Sequence, residues 1–222
     1  MRNMGQEIDL LVNYPKPKRK VLERGATKTD EDRQIARQFG KDFFDGDRRH
    51  GYGGYNYHPR FWQPVVPTFQ AHYQLSSNHS LLDVGCGKGF MLHDFAELIP
   101  GLKVSGIDVS SYAIQNAIDV MKPHLQVADA RKLPYKDKSF DVVISINTIH
   151  NLEINELRQA LREIQRVSKG KSFITIDAYR NEQERELMYA WNLTAKTILH
   201  VDEWKKLFKE VGYTGDYYWF IP

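Results

Sequence analysis

The amino-acid sequence predicts an α/β fold in which a doubly wound, mostly parallel sheet carries helices on both faces. From Leu81 onward, short apolar runs such as LLDV and FDVVISIN alternate with amphipathic helical patterns such as ELRQALREIQRV. The apolar runs show little polar alternation, which is typical of strands covered on both faces. Strands separated by helices pair in parallel, because a parallel connection needs a crossover of about a dozen residues.

Length and composition indicate one sizeable domain with an appendage. With 222 residues and 41% hydrophobic content, the chain can fill one core. We therefore divide it into an N-terminal arm, helix and lid (1–77) and a main α/β domain (78–222).

Two further features bear on location. No stretch approaches the roughly 18 consecutive apolar residues of a membrane-spanning helix, and Met1 to Leu10 lacks the apolar run of a signal peptide. The lone Cys86 can form no internal disulfide, which agrees with a reducing compartment. We expect a cytoplasmic protein with no membrane partner, and the sequence predicts no particular oligomeric state.

The charge balance argues against a dedicated nucleic-acid binder. The net charge is +3, so global attraction to a polyanion is weak. Basic residues cluster in KPKRK (16–20), which we interpret as a solvated surface. Arg48 and Arg49 have aromatic neighbours that are unusual on an idle surface, and they call for another explanation.

The appendage contains helical patterns around an irregular loop. Thr29 and Asp32 resemble a capping box, and Ile35, Phe39 and Phe43 follow at helical spacing, which predicts one short amphipathic helix. Apolar residues between 61 and 69 predict a second helix. Between them lies GDRRHGYGGYNYHPRFW (46–62), where glycines, tyrosines and arginines follow no regular period.

The C-terminal part continues the alternation. Residues 180–200 resemble an inserted helix, and VDEWKKLFKEVG predicts an amphipathic helix that ends at Gly212. The aromatic run YTGDYYWFI then predicts a last strand.

The turn after the first predicted strand, LLDVGCGKGFML, is the first candidate binding element. In an open parallel sheet, ligands bind beyond the carboxyl ends of the strands. Gly85, Gly87 and Gly89 give a tight turn with bare backbone. The dinucleotide fingerprint would place a small third residue at bulky Phe90, and no Ser or Thr follows a Gly-Lys pair as in a phosphate-binding loop. Both nucleotide classes are therefore disfavoured.

An acidic residue supports a nucleoside ligand nonetheless. Asp108 stands at the end of the second strand, in VSGIDVS, about twenty residues after the turn. A carboxylate at this place can accept hydrogen bonds from both hydroxyls of a ribose. The turn, the strand and the acid together are a stronger signal than the glycines alone.

These motifs resemble those of class I S-adenosylmethionine-dependent methyltransferases, in the group of ubiquinone-biosynthesis-like small-molecule enzymes. The resemblance covers residues 78–180, through LLDVGCGKG, GIDVS, VADARKLPYKDKSFDVVISINTIHNL and FITIDA. It implies a Rossmann-like fold and the cofactor S-adenosylmethionine, with S-adenosylhomocysteine as product. Two departures stand out. Lys88 replaces a small hydroxyl residue of the family, and only ten residues follow Gly212 where the family ends in a hairpin.

The resemblance also implies roles for individual residues. Those around the methionine part of the cofactor are Asp83, Gly85, Cys86, Gly87 and Gly89. Asp108 would hold the ribose, and Val109 would line the adenine. Asp129 would accept from the adenine amino group beside the backbone of Ala130, while Asn147 would face the methionine or the acceptor.

In such enzymes the segment before the first strand commonly covers the cofactor, and the loop 46–62 occupies that place. Its glycines would act as hinges, its aromatic rings would exclude water, and its arginines would hold an anionic group. The residues we assign to the acceptor are Arg48, Arg49, Tyr52, Tyr57, Arg60 and Trp62. A tyrosine face of Tyr52, Tyr55 or Tyr57 could also rest against the sulfonium.

Methyl transfer from a sulfonium is a direct displacement, so alignment and exclusion of water carry most of the acceleration. If the acceptor must lose a proton, His150 after the fourth strand is the candidate base, with Tyr55, His50 and His58 as alternatives. The eight histidines show no metal-ligand spacing, so no metal is predicted. Cys86 is interpreted as a small buried residue rather than a nucleophile.

The sequence therefore favours methylation of a small polar or anionic molecule. An RNA methyltransferase is the main alternative, with the basic residues on phosphates and tyrosines on unpaired bases. The residues INTI stand where enzymes that methylate bases or glutamine amides carry an Asn-Pro-Pro-aromatic signature. This replacement argues against a DNA-adenine or protein-glutamine methyltransferase. A non-catalytic cofactor-binding partner subunit is the third possibility.

Overall fold

The structure, a computed structural model, describes residues 5–16, 21–25 and 27–222. Its strands form one sheet in the order β3-β2-β1-β4-β5-β6, with β7 also paired to β5. All pairings are parallel, which confirms the predicted Rossmann-like sheet. The strands are β1 Ser80–Val84, β2 Lys103–Asp108, β3 Leu125–Val127, β4 Phe140–Ile146, β5 Ser168–Tyr179, β6 Leu199–His200 and β7 Asp216–Phe220.

Helices cover both faces of this sheet. Those of the appendage are α1 Val21–Gly25, α2 Asp30–Ala36, α3 Lys41–Asp45, α4 Pro59–Trp62 and α5 Val66–Tyr73. Those of the main domain are α6 Phe90–Leu98, α7 Ser111–Gln115, α8 Ile154–Val167, α9 Glu182–Trp191 and α10 Val201–Val211. Short 3-10 turns span Asp119–His124 and Ile149–Asn151.

The sheet separates two apolar clusters. On one face, α8 and α10 bury Leu161, Trp204 and Phe208 completely. On the other face, Phe69 of α5 and Phe95 of α6 are also fully buried, and their rings meet edge to face. Each fully buried aromatic or aliphatic side chain contributes about 1.5 to 3 kcal/mol relative to exposure. Because α5 lies before residue 77, the appendage shares the core of the main domain, and the division at 77 stays a prediction about function.

The switch in strand order lies beside β1, which pairs with β2 on one side and β4 on the other. From this point the chain builds outward in both directions along the sheet. The carboxyl ends of β1, β2 and β4 therefore meet at one edge, where a crevice for a ligand is expected.

Residues 6–8 cover the far edge of the sheet. Ile8 donates its N–H to the carbonyl of Tyr217 at 3.0 Å, and the N–H of Tyr217 donates to the carbonyl of Gln6 at 3.0 Å. This pairing satisfies backbone groups of β7 that would otherwise be open to another chain. Lys16 pairs with Asp9 at 3.2 Å, whereas residues 17–20 of the predicted basic cluster lie outside the described residues.

The single helix predicted after Thr29 is wrong in its length. The capping box of Thr29 and Asp32 forms as expected, but α2 ends at Ala36. Phe39 then adopts a left-handed φ of 50°, which no helix accommodates, and α3 begins after Gly40. The break turns α3 toward the glycine turn after β1.

The end of the sheet differs from the hairpin that the family resemblance implies. Helix α10 ends at Gly212, whose φ of 73° suits a left-handed cap, and leads to β7. Strand β7 runs parallel to β5, from Phe173 opposite Asp216 to Asp177 opposite Phe220. The inserted helix α9 and the two-residue strand β6 precede this crossover. Among the described residues, no helix combines the length and the apolar character needed to cross a membrane.

Candidate active site

The glycine turn after β1 is held against β2 through its backbone. The N–H groups of Gly85 and Cys86 both donate to the carbonyl of Ile107, at 2.8 and 3.0 Å. Gly85, Gly87 and Gly89 have φ values of 92°, 55° and 77°, which only glycine adopts without strain. At Gly85 there is also no room, because a Cβ would lie 2.1 Å from Oγ1 of Thr148.

Replacing Gly85 with alanine is expected to lower the thermal midpoint by several degrees and to abolish cofactor binding. The left-handed conformation alone costs about 1 to 2 kcal/mol, and the contact with Thr148 adds to it. Gly212→Ala is the matched control, since Gly212 has a similar φ of 73° but nothing within 4 Å of the added atom. Thermal melts and calorimetry compare the two. Equal loss in both variants would contradict a crowded turn at Gly85.

Asp108 joins the turn to the end of β2. Its Oδ2 accepts the N–H of Gly87 at 2.8 Å and its Oδ1 accepts the N–H of Ser110 at 2.8 Å. Burial raises the pKa of Asp108, and these backbone hydrogen bonds oppose that shift. Each carboxylate oxygen keeps a second lone pair for a hydroxyl. Val109, the next residue, is 59% exposed and offers an apolar surface beside the carboxylate.

Asp83, two residues before Gly85, has an unsatisfied oxygen. The side chain is only 4% exposed, and its Oδ1 has no hydrogen-bond partner in the described chain. Burial, together with the nearby charge of Asp108, raises the pKa of Asp83 to about 8. A buried carboxylate without a partner is costly unless a cation arrives. The α-ammonium group of S-adenosylmethionine is such a cation, so the residues present fit this cofactor.

The segment after β4 borders the glycine turn that follows β1. Asn147 is exposed and has a left-handed φ of 50°, and its Oδ1 accepts the hydroxyl of Thr175 at 2.9 Å. Strained backbone of this kind clusters at functional sites. Thr148 follows and contacts the glycine turn at Gly85. Asn147 therefore lies near the cofactor turn, and its contact with cofactor or acceptor stays a prediction.

His150 is buried at the same edge, but its geometry does not suit the predicted base. Its Nδ1 accepts the backbone N–H of Asp177 at 3.0 Å, so the neutral ring carries its proton on Nε2. Burial lowers the pKa of His150, although the charge of Asp177 opposes that shift. Because the Nδ1 lone pair is engaged and Nε2 bears the hydrogen, His150 can donate a hydrogen bond rather than take a proton.

The loop that follows α3 covers the glycine turn with aromatic rings. The ring of Tyr55 lies 4.7 Å from that of Phe90 and 4.3 Å from that of Tyr52. A Cβ placed on Gly87 would lie 3.4 Å from Cε1 of Tyr55. Burial, reinforced by Tyr52, raises the pKa of Tyr55 well above its usual value, so the phenol stays protonated and the proposed base role of Tyr55 is not supported.

Tyr57 anchors this loop to α6. Its hydroxyl donates to Oδ1 of buried Asp94 at 2.6 Å, and its ring meets His93 edge to face. Burial and this hydrogen bond raise the pKa of Tyr57 to about 12. Its hydroxyl is therefore occupied by the protein, and an acceptor role would be confined to the ring.

The contacts of Lys88 account for a lysine at a position where the family carries a small hydroxyl residue. The side chain is 5% exposed, and its Nζ contacts the two carboxylate oxygens of Asp45 at 2.9 and 2.7 Å. The hydroxyl of Tyr112 also donates to Asp45 at 2.8 Å. The lysine thus ties the glycine turn to α3 of the appendage. Sequence reasoning missed Asp45, and the only signal was the unusual lysine itself.

The structure does not bring the remaining lid residues together at the turn. Arg49 pairs with Asp47 at 3.4 Å, and Arg48 donates to the carbonyl of Gly51. Arg60 lies over the ring of Phe61 at 4.7 Å. Trp62 packs against Tyr14 of the arm, with ring centroids 4.8 Å apart. These contacts stabilise the appendage itself, and an acceptor role for the four residues stays a prediction.

On the far side of Asp108, the residues predicted to contact adenine are already paired. The guanidinium of Arg131 donates from Nε to both oxygens of Asp129, at 2.9 and 2.8 Å, and also reaches Glu156. The hydrogen bond from Arg131 lowers the pKa of Asp129, although burial opposes it. Recognition of the adenine amino group by Asp129 and the backbone of Ala130 stays a prediction.

A polar cleft adjoins His150. It has a volume of about 370 Å³ and lies between the start of α8 and the segment that joins α9 to β6. The N–H groups of Lys196 and Thr197 both donate to the carbonyl of His150 at 3.0 Å, which fixes the wall of the cleft to the end of β4. Glu153, Tyr189, Asn192 and Lys196 are among the residues that line it, and Nζ of Lys196 lies 3.6 Å from Oε1 of Glu153. Sequence reasoning placed the acceptor pocket in the appendage alone and missed this cleft.

The described residues give no support to a nucleophilic cysteine or to a metal centre. Burial raises the pKa of Cys86 well above its usual value, so the thiol is inert, in agreement with its structural interpretation. Among residues 5–16, 21–25 and 27–222, no three histidine, cysteine or acidic side chains are grouped so that they could hold a metal ion.

Comparison with known proteins establishes the family. Residues 75–212, more than half of the chain, match the family described as Methyltransferase domain. The chain therefore belongs to this family, within the class I S-adenosylmethionine-dependent methyltransferases. The cofactor of the domain is S-adenosylmethionine.

Individual relatives differ in acceptor. The chain is 36% identical over 146 residues to the tRNA (carboxymethyluridine(34)-5-O)-methyltransferase of Arabidopsis thaliana, covering 64% of this chain and 33% of that protein. It is 30% identical over 127 residues to the malonyl-[acyl-carrier protein] O-methyltransferase of Legionella pneumophila, covering 55% of this chain and 44% of that protein. The chain thus spans less than half the length of these relatives. The solved structure of the YcgJ protein of Bacillus subtilis shares the fold, with a TM-score of 0.54, 19% identity and 66% of each chain covered.

Proposed function

We propose that this domain transfers the methyl group of S-adenosylmethionine to a small polar or anionic acceptor by direct displacement. The unsatisfied, buried Oδ1 of Asp83, two residues before the glycine turn that Asp108 holds, is the observation that carries the proposal. The bound cofactor supplies an electrophilic methyl on a sulfonium. Every other contribution comes from the chain, which binds, aligns and excludes water.

The residues divide this work by position. Asp83 binds the ammonium and Asp108 the ribose, which fixes both ends of the cofactor along the edge of the sheet. Tyr55 covers the turn and excludes water, and its ring face is placed to stabilise a nearby cation by about 0.5 to 2 kcal/mol. The cleft near His150 is a candidate place for the acceptor. Lys196, which pairs with Glu153 at 3.6 Å, and Asn192, whose amide is bonded to the backbone of Ala195, both border it.

His150 is assigned the donor role in this scheme. The N–H at Nε2 would orient the acceptor or polarise an oxygen near the methyl group, while the N–H of Asp177 holds the tautomer. His150→Gln retains an amide N–H and is expected to keep more activity than His150→Ala, with the pH profile of kcat/KM unchanged in shape. Steady-state rates across pH 6 to 9 measure this. An acidic limb in the native enzyme that vanishes in His150→Gln would instead restore the base role.

RNA is the second candidate acceptor, favoured by one observation. The Arabidopsis relative is a tRNA methyltransferase that matches this chain at 36% identity. Against it, the net charge is only +3, and Arg48, Arg49 and Arg60 are engaged within the appendage. Tight RNA binding with a steep loss of affinity in added salt would promote this candidate.

The deciding experiment uses methyl-labelled S-adenosylmethionine and an extract of the source cell. After incubation with the pure protein, small molecules, RNA and protein are separated and counted. Label in the small-molecule fraction supports the proposal and yields a compound to identify. Label in RNA supports the second candidate. Cofactor binding without transfer to any fraction indicates a non-catalytic partner subunit.

A further inference from the structure

The backbone of Tyr55 is held between two opposite charges. Its N–H donates to Oδ1 of Asp45 at 2.9 Å, and its carbonyl accepts from Nζ of Lys88 at 2.9 Å. Nζ of Lys88 also lies 2.7 Å from Oδ2 of Asp45. We call Asp45 and Lys88 together the clamp. One residue of the lid is thereby fixed at both of its backbone polar groups by charged side chains.

The clamp connects distant parts of the chain. Asp45 ends α3 in the appendage, whereas Lys88 belongs to the glycine turn that follows β1. Lysine is rarely buried without a counter-charge, and here Asp45 supplies one. Burial by itself would raise the pKa of Asp45, but hydrogen bonds from Lys88 and Tyr55 outweigh it and lower the pKa, so the carboxyl group of Asp45 is ionised.

The clamp fixes the position of the Tyr55 ring. The ring contacts Phe90 at the start of α6 and stands over Gly87, whose N–H is held by Asp108. Without the clamp, the glycines at 53 and 54, with φ values of 67° and 105°, would let this loop adopt other conformations. The position of one lid ring is therefore coupled to the turn that borders the cofactor.

We propose that Asp45 is a positioning residue that, through Lys88, fixes Tyr55 on the glycine turn, so that closure of the lid and retention of the cofactor are one event. The proposal rests on the cofactor of the family and is independent of the acceptor. It goes beyond the proposed methyl transfer because it assigns the control of cofactor exchange to Asp45, a residue outside the binding motifs.

The test measures the dissociation rate of S-adenosylhomocysteine by stopped flow. Asp45→Asn is expected to raise this rate about tenfold or more, since changes at one interface act mainly on dissociation. Tyr55→Ala should have a comparable effect, and the combined variant should be no faster than either alone, because both remove the same contact. Asp45→Glu should restore most of the retention. Asp42→Asn is the matched control, since Asp42 lies on the same helix and is exposed.

A second variant guards against misfolding. Asp45→Asn leaves Lys88 buried without its counter-charge, so Asp45→Asn/Lys88→Gln, which removes both charges, is measured beside it with thermal melts. Trypsin, which cleaves after the exposed Arg48 and Arg49, gives an independent readout. The ligand should protect this site in the native protein and much less in the double variant.

Three results would overturn the proposal. One is a folded clamp variant with an unchanged or slower dissociation rate, and another is additive effects of the Asp45 and Tyr55 changes. The third is a native protein that binds no S-adenosylhomocysteine, which would overturn the cofactor assignment together with the role of the clamp. If the native protein binds the ligand normally and the clamp variants release it at the native rate, only the role of the clamp is overturned.

Discussion

Replacing Asp108 with alanine is expected to weaken the binding of S-adenosylmethionine roughly a hundredfold or more. The variant loses the acceptors for the N–H groups of Gly87 and Ser110, which hold the glycine turn, as well as the acceptor for the ribose. Hydrogen bonds to a charged group contribute about 1.5 to 3 kcal/mol each, and about 2.8 kcal/mol corresponds to a hundredfold change. Isothermal titration calorimetry measures the affinity directly.

Asp119→Ala is the matched control for this prediction. Asp119 is exposed and pairs with Lys122 at 2.7 Å, so its loss should leave the affinity unchanged. Circular dichroism of both variants separates a binding defect from unfolding. An Asp108→Ala protein that binds as tightly as the native one would place the ribose elsewhere.

Replacing Asp83 with asparagine is expected to weaken cofactor binding and to change how the free energy of unfolding depends on pH. Loss of the carboxylate removes the partner of the cofactor ammonium, so affinity should fall at least about tenfold. The same change removes a buried carboxyl group whose pKa is about 8 in the folded protein. Calorimetric binding and denaturant unfolding of both proteins across pH 5 to 9 test the two effects together.

The sign of the pH effect follows from linkage. Between pH 4 and 8 the folded protein keeps the proton on Asp83, whereas the unfolded chain, with a pKa of about 3.9, has released it. The contribution of Asp83 to the free energy of unfolding therefore falls as the pH rises through this range. Asp83→Asn lacks the titration, so its stability relative to the native protein should increase with pH, by about 1.4 kcal/mol for each pH unit between about pH 4 and pH 8. A difference that stays constant with pH would contradict the raised pKa.

The main features of the fold were readable from local patterns in the sequence. Apolar runs alternating with helical periods predicted the parallel sheet, and Gly212 predicted the end of α10, because each signal depends on neighbouring residues only. The same holds for the capping box of Thr29 and Asp32. The break at Phe39 was not predictable, since the side chain continues the helical spacing while its backbone adopts a φ of 50°.

The parts of the candidate site that could be predicted are those whose signals lie close together in the sequence. The glycine turn and Asp108 belong to two successive strands, and the structure brings them together by a hydrogen bond of 2.8 Å. The clamp joins residues 43 positions apart, and no pattern in the sequence specifies which carboxylate a buried lysine meets. The acceptor role of Trp62 stays a prediction, because an aromatic residue in the sequence serves packing, here against Tyr14, as well as ligand contact. His150 was found by position, but its tautomer depends on the backbone of Asp177.

A crystal structure of the protein with S-adenosylhomocysteine tests the central claim most directly. The account predicts the ribose hydroxyls on the carboxylate of Asp108, the ammonium against Oδ1 of Asp83, and the ring of Tyr55 closed over the bound ligand with the clamp intact. A ligand bound away from the glycine turn, or an ammonium that does not reach Asp83, would contradict it.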